Sequence, residues 1–229
     1  MRNLWYISPS NQSGNLGVAG YGNEQDQMYL LADLLIPHLD RCGVEFYLAP
    51  KEVSLGARCR ESDAMGADYH LALHSNAGGN GKAWGPIAFY HTAGKTLAER
   101  IISEMLALGQ ESNRACHVQS GKHLYELKNT AAATCLVEVD FHDSEKGVAY
   151  ITKNRAAIAE AIAKAVVAED GKEWVEPSAM DSAIQDRLLM QDLFDPNDAG
   201  DYRWGEALTR REAVIAFQRL NELWKGGTK

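Results

Sequence analysis

His70-Leu71-Ala72-Leu73-His74-Ser75-Asn76-Ala77 runs apolar from its second residue, ends on a histidine and opens into the glycine-rich stretch Gly78-Gly79-Asn80-Gly81. A short apolar run bounded by such a turn signal reads as a buried strand, and the loop after it as a surface turn. A second run, Cys135-Leu136-Val137-Glu138-Val139-Asp140-Phe141-His142, has the same character and also carries ionisable side chains near its end. Side chains alternate faces along a strand, so His70, Ala72 and His74 share one face, and Leu136, Glu138, Asp140 and His142 share one face of the later strand.

Working outward from these two runs, further strands are expected near Leu4–Ile7, Val44–Leu48, Ile87–His91 and His123–Leu127, with the later run spanning Thr134–Asp140. Segments of helical period fall between them: Glu24 to about Arg41, Leu55 to Met65, Lys95 to Leu108, and Glu145 to about Ala168. Met28, Leu31, Leu34, Leu35 and Leu39 form the inner stripe of the first helix, Asn23 is placed to cap it, and Pro37 is expected to kink it. Ile151, Ile158, Ile162 and Val166 repeat at helical spacing in the last. Strand and helix in alternation predict an α/β domain over residues 1–170, an open twisted, mostly parallel sheet of about six strands flanked by helices.

From Glu169 through Pro177 the apolar period stops and charge, Gly and Pro gather, which marks a boundary. A small helix-loop-helix module is expected over 177–229, with helices from Met180 to Phe194 and from Thr209 to Trp224. Thr209-Arg210-Arg211-Glu212 is a capping box for the second. Between them, Asp195 to Glu206 resembles a calcium loop, but Ala199 occupies a ligand position.

The chain has 229 residues, 45% of them hydrophobic and 24% charged, with a formal net charge of -8. That balance, with no Lys/Arg-rich block, argues against nucleic acid or an anionic membrane as the main partner, because neutralising phosphates needs clustered positive charge. Cys42, Cys59, Cys116 and Cys135 are scattered without metal or disulfide spacing and are expected to be reduced and mostly buried. No signal-peptide pattern follows Met1, so synthesis in the cytoplasm is expected. The oligomeric state is open.

In an open, mostly parallel sheet, ligands bind in the crevice beyond the carboxyl ends of the strands. His74, Glu138, the loop Ser8-Pro9-Ser10-Asn11-Gln12 and Glu24 at a helix start could all converge there. Imidazole and carboxylate are suitable zinc ligands, and a second carboxylate could take the proton from a bound water, which would amount to metal-assisted hydrolysis. Blander roles exist for each. A glutamate in a first helical turn is favoured by the helix dipole alone. His74 could be a hydrogen-bonded strand-end histidine, and Glu138 and Asp140 could belong to ion pairs. His70 lies about 13 Å along the strand from His74, too far to share one metal. His91, His117, His123 and His142 show no recognised ligand spacing.

Four ordered blocks, Tyr6-Ile7-Ser8-Pro9-Ser10, the Glu24 helix, Leu71-Ala72-Leu73-His74-Ser75-Asn76-Ala77 and Leu136-Val137-Glu138-Val139-Asp140-Phe141, resemble the zinc-dependent N-acetylmuramoyl-L-alanine amidases of the Amidase_3 type. The likeness covers about residues 3 to 168. It implies a peptidoglycan hydrolase that cleaves between the lactyl group of muramic acid and the stem peptide. Glu24 and His74 would be zinc ligands, and Glu138 the catalytic base. The family's first strand, however, ends in Asp-Pro-Gly-His-Gly, whose histidine is the remaining ligand, and Ser8-Pro9-Ser10-Asn11-Gln12 stands there instead. The chain is similar to a phage or Gram-positive branch that pairs Ser-Pro-Ser-x-Gln with Phe-His-Asp, matched here by Phe141-His142-Asp143. Gln12 is the first candidate for the third ligand, with Asn11 and His142 as alternatives. Amide oxygens bind zinc less well than imidazole.

Three functions follow from these residues. The first is a metal-dependent amidase acting on the wall as a lysin, after release linked to lysis. The second is a cell-wall-binding pseudoenzyme of the same fold that lacks tight zinc. The third is a peptidase or deacylase acting on something other than the wall, since fold does not fix substrate. The C-terminal module faintly resembles half of an S-layer homology unit, carried by Trp204 to Glu212.

Overall fold

The structure is a computed structural model that describes residues 3–78 and 80–177. Six strands form one sheet in the order β2-β1-β3-β6-β4-β5. They are β1 (Leu4–Pro9), β2 (Glu45–Leu48), β3 (Tyr69–Asn76), β4 (Ile87–His91), β5 (Val118–Ser120) and β6 (Ala133–Phe141). The helices are α1 (Glu24–Arg41), α2 (Leu55–Met65), α3 (Lys95–Ala107), α4 (Tyr125–Lys128) and α5 (Glu145–Glu169). All neighbouring strands are parallel except β4 and β6, which are antiparallel. The α/β architecture expected from the alternating pattern is therefore the observed one.

The helices divide into two groups. Contacts join α1 and α3 to α5, and α2 to α4. Trp5, Ile7, Leu71, Leu73, Cys135, Val137 and Val139 alternate along three strands and are fully buried. Their partners on the other face include Ala72, Leu127 and Leu136, packed with Phe89 and Leu124 into a smaller apolar cluster. A sheet covered on both faces explains why β3 and β6 read as nearly continuous apolar runs.

Three local features differ from expectation. The segment His123–Leu127 is not a strand; β5 lies just upstream and the chain then turns into the one-turn helix α4. Gly121 makes that turn possible: its amide donates to Tyr90 O at 2.7 Å, and a Cβ there would stand 2.5 Å from Leu127 Cδ2. Helix α1 continues through Pro37, while non-helical dihedrals fall in α5, at Asn154 with φ -115 and ψ 15. The Asn154 side-chain amide donates to Tyr150 O, four residues back, at 2.9 Å, and so competes for a helix carbonyl. Asn23 caps α1 as expected, its side chain accepting from the Asp26 amide at 2.8 Å.

After α5 the chain runs back along the domain. Asp170 accepts from the Trp5 indole at 2.8 Å, and Val175 O accepts from Arg41 Nε at 2.9 Å. The module expected beyond Pro177, with its capping box and acidic loop, lies outside the described residues. All four cysteines are free, and Cys42, Cys59 and Cys135 are buried. Among the described residues no helix is long and apolar enough to cross a membrane.

Candidate active site

Register brings the two functional strands together. In the β3–β6 pair His74 stands opposite Glu138, and in the β1–β3 pair Ser8 stands opposite Ala72, so Ser8, His70, His74 and Glu138 share one face. The pairing becomes irregular between His74 and Asn76, a bulge that ends regular pairing just beyond the histidine. Helix α1 begins beside this strand end and carries Glu24 in its first turn.

Glu24 and His74 meet directly, with Nδ1 of His74 2.7 Å from Oε1 of Glu24. Gln12 joins them, its side-chain amide 3.4 Å from the same Nδ1. Asn15 braces the group by donating to Gln12 Oε1 and to Glu24 Oε2, each at 2.8 Å. The structure thus gathers Glu24, His74 and Gln12 around one nitrogen. With its oxygen taken by Asn15, the Gln12 amide presents its nitrogen to this space; presenting the oxygen instead requires the amide to rotate by half a turn and give up the Asn15 bond.

The other candidates for the third ligand are placed differently. Asn11 offers its backbone carbonyl to the Ser13 amide. His142 is buried against Tyr21, the rings nearly parallel with centroids 5.7 Å apart, and its Nδ1 lies 2.9 Å from Ser75 Oγ. Tyr21 OH donates to the same Ser75 oxygen at 2.8 Å. Asp140 serves the scaffold, accepting from Gln110 Nε2 at 2.7 Å and from the Gly85 amide at 2.9 Å.

Glu126 stands outside the sequence-based expectations. It projects from α4, is almost fully buried, and accepts a hydrogen bond from Ser8 Oγ. Its Oε1 lies 2.9 Å from His70 Nε2, and its Oε2 lies 3.8 Å from His74 Nε2. His70 and His74, though too far apart along the strand to share a metal, therefore share a carboxylate. A buried acid within Leu124-Tyr125-Glu126-Leu127 was the available signal, obscured when that segment is read as a strand.

These contacts set the electrostatics. Burial opposes charge on His74, but the close carboxylates of Glu126 and Glu24, the latter hydrogen-bonded to it, and the charge of Glu138 overcome it and push its pKa up to about 10. Burial also works against ionised Glu24 and Glu126. The His74 hydrogen bond and charge, with Asn15 and Ser10, hold Glu24 below the ordinary carboxylate range, and His70 and His74 hold Glu126 far below it. Glu138 behaves oppositely. Its Oε2 is sealed from solvent with no hydrogen-bond partner, and burial pushes its pKa up to about 7 despite the opposing pull of His74.

Among the described residues no three His, Cys, Asp or Glu side chains are grouped to hold a metal ion. The donor set around Nδ1 is one imidazole, one carboxylate and one amide, a combination compatible with a divalent cation but poorer for zinc than two imidazoles and a carboxylate. A cation there would compete with the proton that His74 otherwise carries. The unpartnered Glu138 oxygen lies on the neighbouring strand at the same level.

Among curated proteins, no sequence matches this chain. Among solved structures, it is similar to the N-acetylmuramoyl-L-alanine amidase AmiC2 of Nostoc punctiforme, with a TM-score of 0.66 and 21% identity over 73% of this chain and 96% of that one. An N-acetylmuramoyl-L-alanine amidase from Clostridium difficile 630 superposes with a TM-score of 0.64 and 20% identity, covering 73% and 96% of the two chains. The catalytic domain of the CD27L endolysin targeting Clostridia difficile gives 0.59 and 22%, covering 73% and 97%. These likenesses define the fold as that of an amidase catalytic domain. The sequence profile of Amidase_3, N-acetylmuramoyl-L-alanine amidase, matches residues 9–168, and the chain belongs to this family of peptidoglycan amidases.

Proposed function

We propose that the protein cleaves the amide bond between N-acetylmuramic acid and the L-alanine of the stem peptide by metal-assisted hydrolysis, with Glu24, His74 and Gln12 as the metal ligands. The observation that carries this reading is the meeting of those three side chains at His74 Nδ1, level with Glu138, whose pKa is pushed up to about 7. Zinc is the cation this family membership favours, and when bound it would polarise the scissile carbonyl and acidify a water.

Glu138 supplies the proton transfers. A carboxyl poised near neutrality is ionised often enough to accept a proton from the attacking water, and basic enough to hold that proton until the amine leaves. Its unpartnered Oε2 needs no existing hydrogen bond broken first. Glu24 and His74 remain fixed by their mutual contact and by Asn15, so two of the three proposed ligands are assembled in advance, while Gln12 has to turn its oxygen from Asn15 towards the site. Beyond the end of β6, a groove of about 480 Å³ lined by Val18, Trp84, Asp143 and Lys146 is open to solvent.

The test joins metal content to product chemistry. Protein purified without chelator should carry a divalent metal and should release stem peptides with a free L-alanine amine from purified wall, identified by mass spectrometry. His74→Ala should lose both. A wild-type protein that cleaves wall at this bond while holding no more metal than His74→Ala would overturn the metal reading, and cleavage at another bond would overturn the substrate assignment.

A further inference from the structure

The two nitrogens of an imidazole lie on opposite edges of the ring, and in His74 both are engaged by carboxylates. Nδ1 faces Glu24 and Gln12, while Nε2 faces Glu126 at 3.8 Å. That separation is within ion-pairing range, though longer than a hydrogen bond. Because Glu126 stands across the ring from Glu24, it cannot join the donor group at Nδ1. It is also strongly held: Ser8 Oγ donates to its Oε1, His70 Nε2 lies 2.9 Å from that same oxygen, and Arg58 Nη1 donates to Ser8 Oγ at 3.3 Å, which leaves Oε2 facing His74.

We propose that Glu126 is a positioning residue that keeps the proton of His74 on Nε2 and thereby aims the Nδ1 lone pair at the space shared with Glu24 and Gln12. The inference rests on the metal reading given above. A metal-bound histidine is usually oriented by an acceptor on its other nitrogen, which fixes the tautomer and raises ligand basicity. Here the need is sharper, because the group around Nδ1 holds one imidazole, and a ring turned away removes the strongest neutral donor of the set. A buried carboxylate held by Ser8 and His70 has little freedom to leave its place.

Zinc-buffer titration of the metal-free full-length protein tests this without reference to activity. Glu126→Gln, which keeps shape but removes the charge, should weaken zinc binding by about 10- to 100-fold while retaining a cooperative melt. His74→Ala should abolish binding. In zinc-loaded wild type, nitrogen-15 NMR of the histidine rings should show His74 protonated at Nε2 and metal-bound at Nδ1, a measurement that stands even if Glu126→Gln does not fold. Zinc on Nε2 overturns the proposal. So does Glu126→Gln binding zinc as wild type does, or losing it as completely as His74→Ala, which would make Glu126 a ligand. If His74→Ala binds zinc like wild type, the metal reading itself fails.

Discussion

Replacing Glu138 by glutamine should separate stability from activity, raising the first at alkaline pH and abolishing most of the second. At about 1.36 kcal/mol for each tenfold change in proton affinity, a carboxyl raised from its ordinary 4.5 to about 7 destabilises the ionised fold by about 3 kcal/mol. Glu138 is partly open to water, and solvent screening reduces this to about 1–2 kcal/mol. Below pH 4.5 the carboxyl is protonated in both folded and unfolded chains, so the penalty is absent. Between 4.5 and about 7 the native protein holds a proton that the unfolded chain has released, so wild-type stability falls as pH rises, and above 7 the penalty is complete. Urea denaturation of the metal-free proteins at pH 4 and pH 8.5, two conditions set about the range given by linkage, should therefore find Glu138→Gln more stable by about 1–2 kcal/mol at the higher pH and close to wild type at the lower. Wall cleavage by the same variant should fall by about 10²- to 10⁴-fold, the usual contribution of a general base. A stability gap that does not change with pH would refute desolvation of this carboxyl, and activity within about tenfold of wild type would exclude it as the base.

Gln12→His should tighten zinc binding by about tenfold or more, about 1.4 kcal/mol, because an imidazole replaces an amide beside Nδ1 of His74; Asn11→His serves as the comparison. If neither tightens it and His142→Ala abolishes binding in the same zinc-buffer competition, the third ligand is His142 and the first loop is not part of the set. Gly147→Ala should destabilise the fold by about 2 kcal/mol, since overpacking against a backbone carbonyl falls at the upper end of about 1–3 kcal/mol and the gain in helix propensity returns about 1. Its added Cβ would lie 2.2 Å from Phe141 O and 2.8 Å from Asp140 Oδ1, and unchanged stability in urea denaturation would show that this junction of β6 and α5 is looser than described.

The sheet was legible because burial on both faces leaves a strong apolar signal in β3 and β6, and because α1 and α2 carry start and stop residues such as Asn23 and Gly66. The antiparallel insertion of β4 was not legible. Nothing in Ile87–His91 itself distinguishes a parallel from an antiparallel strand, since that choice is made by the helix-free link from β3, which reverses the chain relative to β3 and its parallel neighbour β6. The kink was misplaced for a related reason: the proline of α1 is conspicuous in sequence, whereas Asn154 competes for the Tyr150 carbonyl through a contact that composition does not reveal.

At the site, the same limit separates what could be read from what could not. Glu24, His74 and Glu138 follow from strand ends, a helix start and family likeness. Glu126 depends on a turn at Gly121 that converts an expected strand into α4 and swings one acid over the sheet face. The first loop then acquires a logic that the absent histidine had obscured. Ser8, Ser10 and Gln12 alternate along the chain: Ser8 bonds Glu126, Ser10 Oγ accepts from the Gln12 amide at 3.2 Å, and the Gln12 side chain reaches His74. A histidine in this loop would supply one strong ligand, whereas here Ser8 bonds one carboxylate, Asn15 bonds the other, and Ser10 steadies the Gln12 backbone beside the imidazole. On the proposed metal reading, the geometry of the donor group is held by a network around His74 more than by the number of strong ligands, and loss of any one of these contacts should loosen the imidazole before it unfolds the sheet.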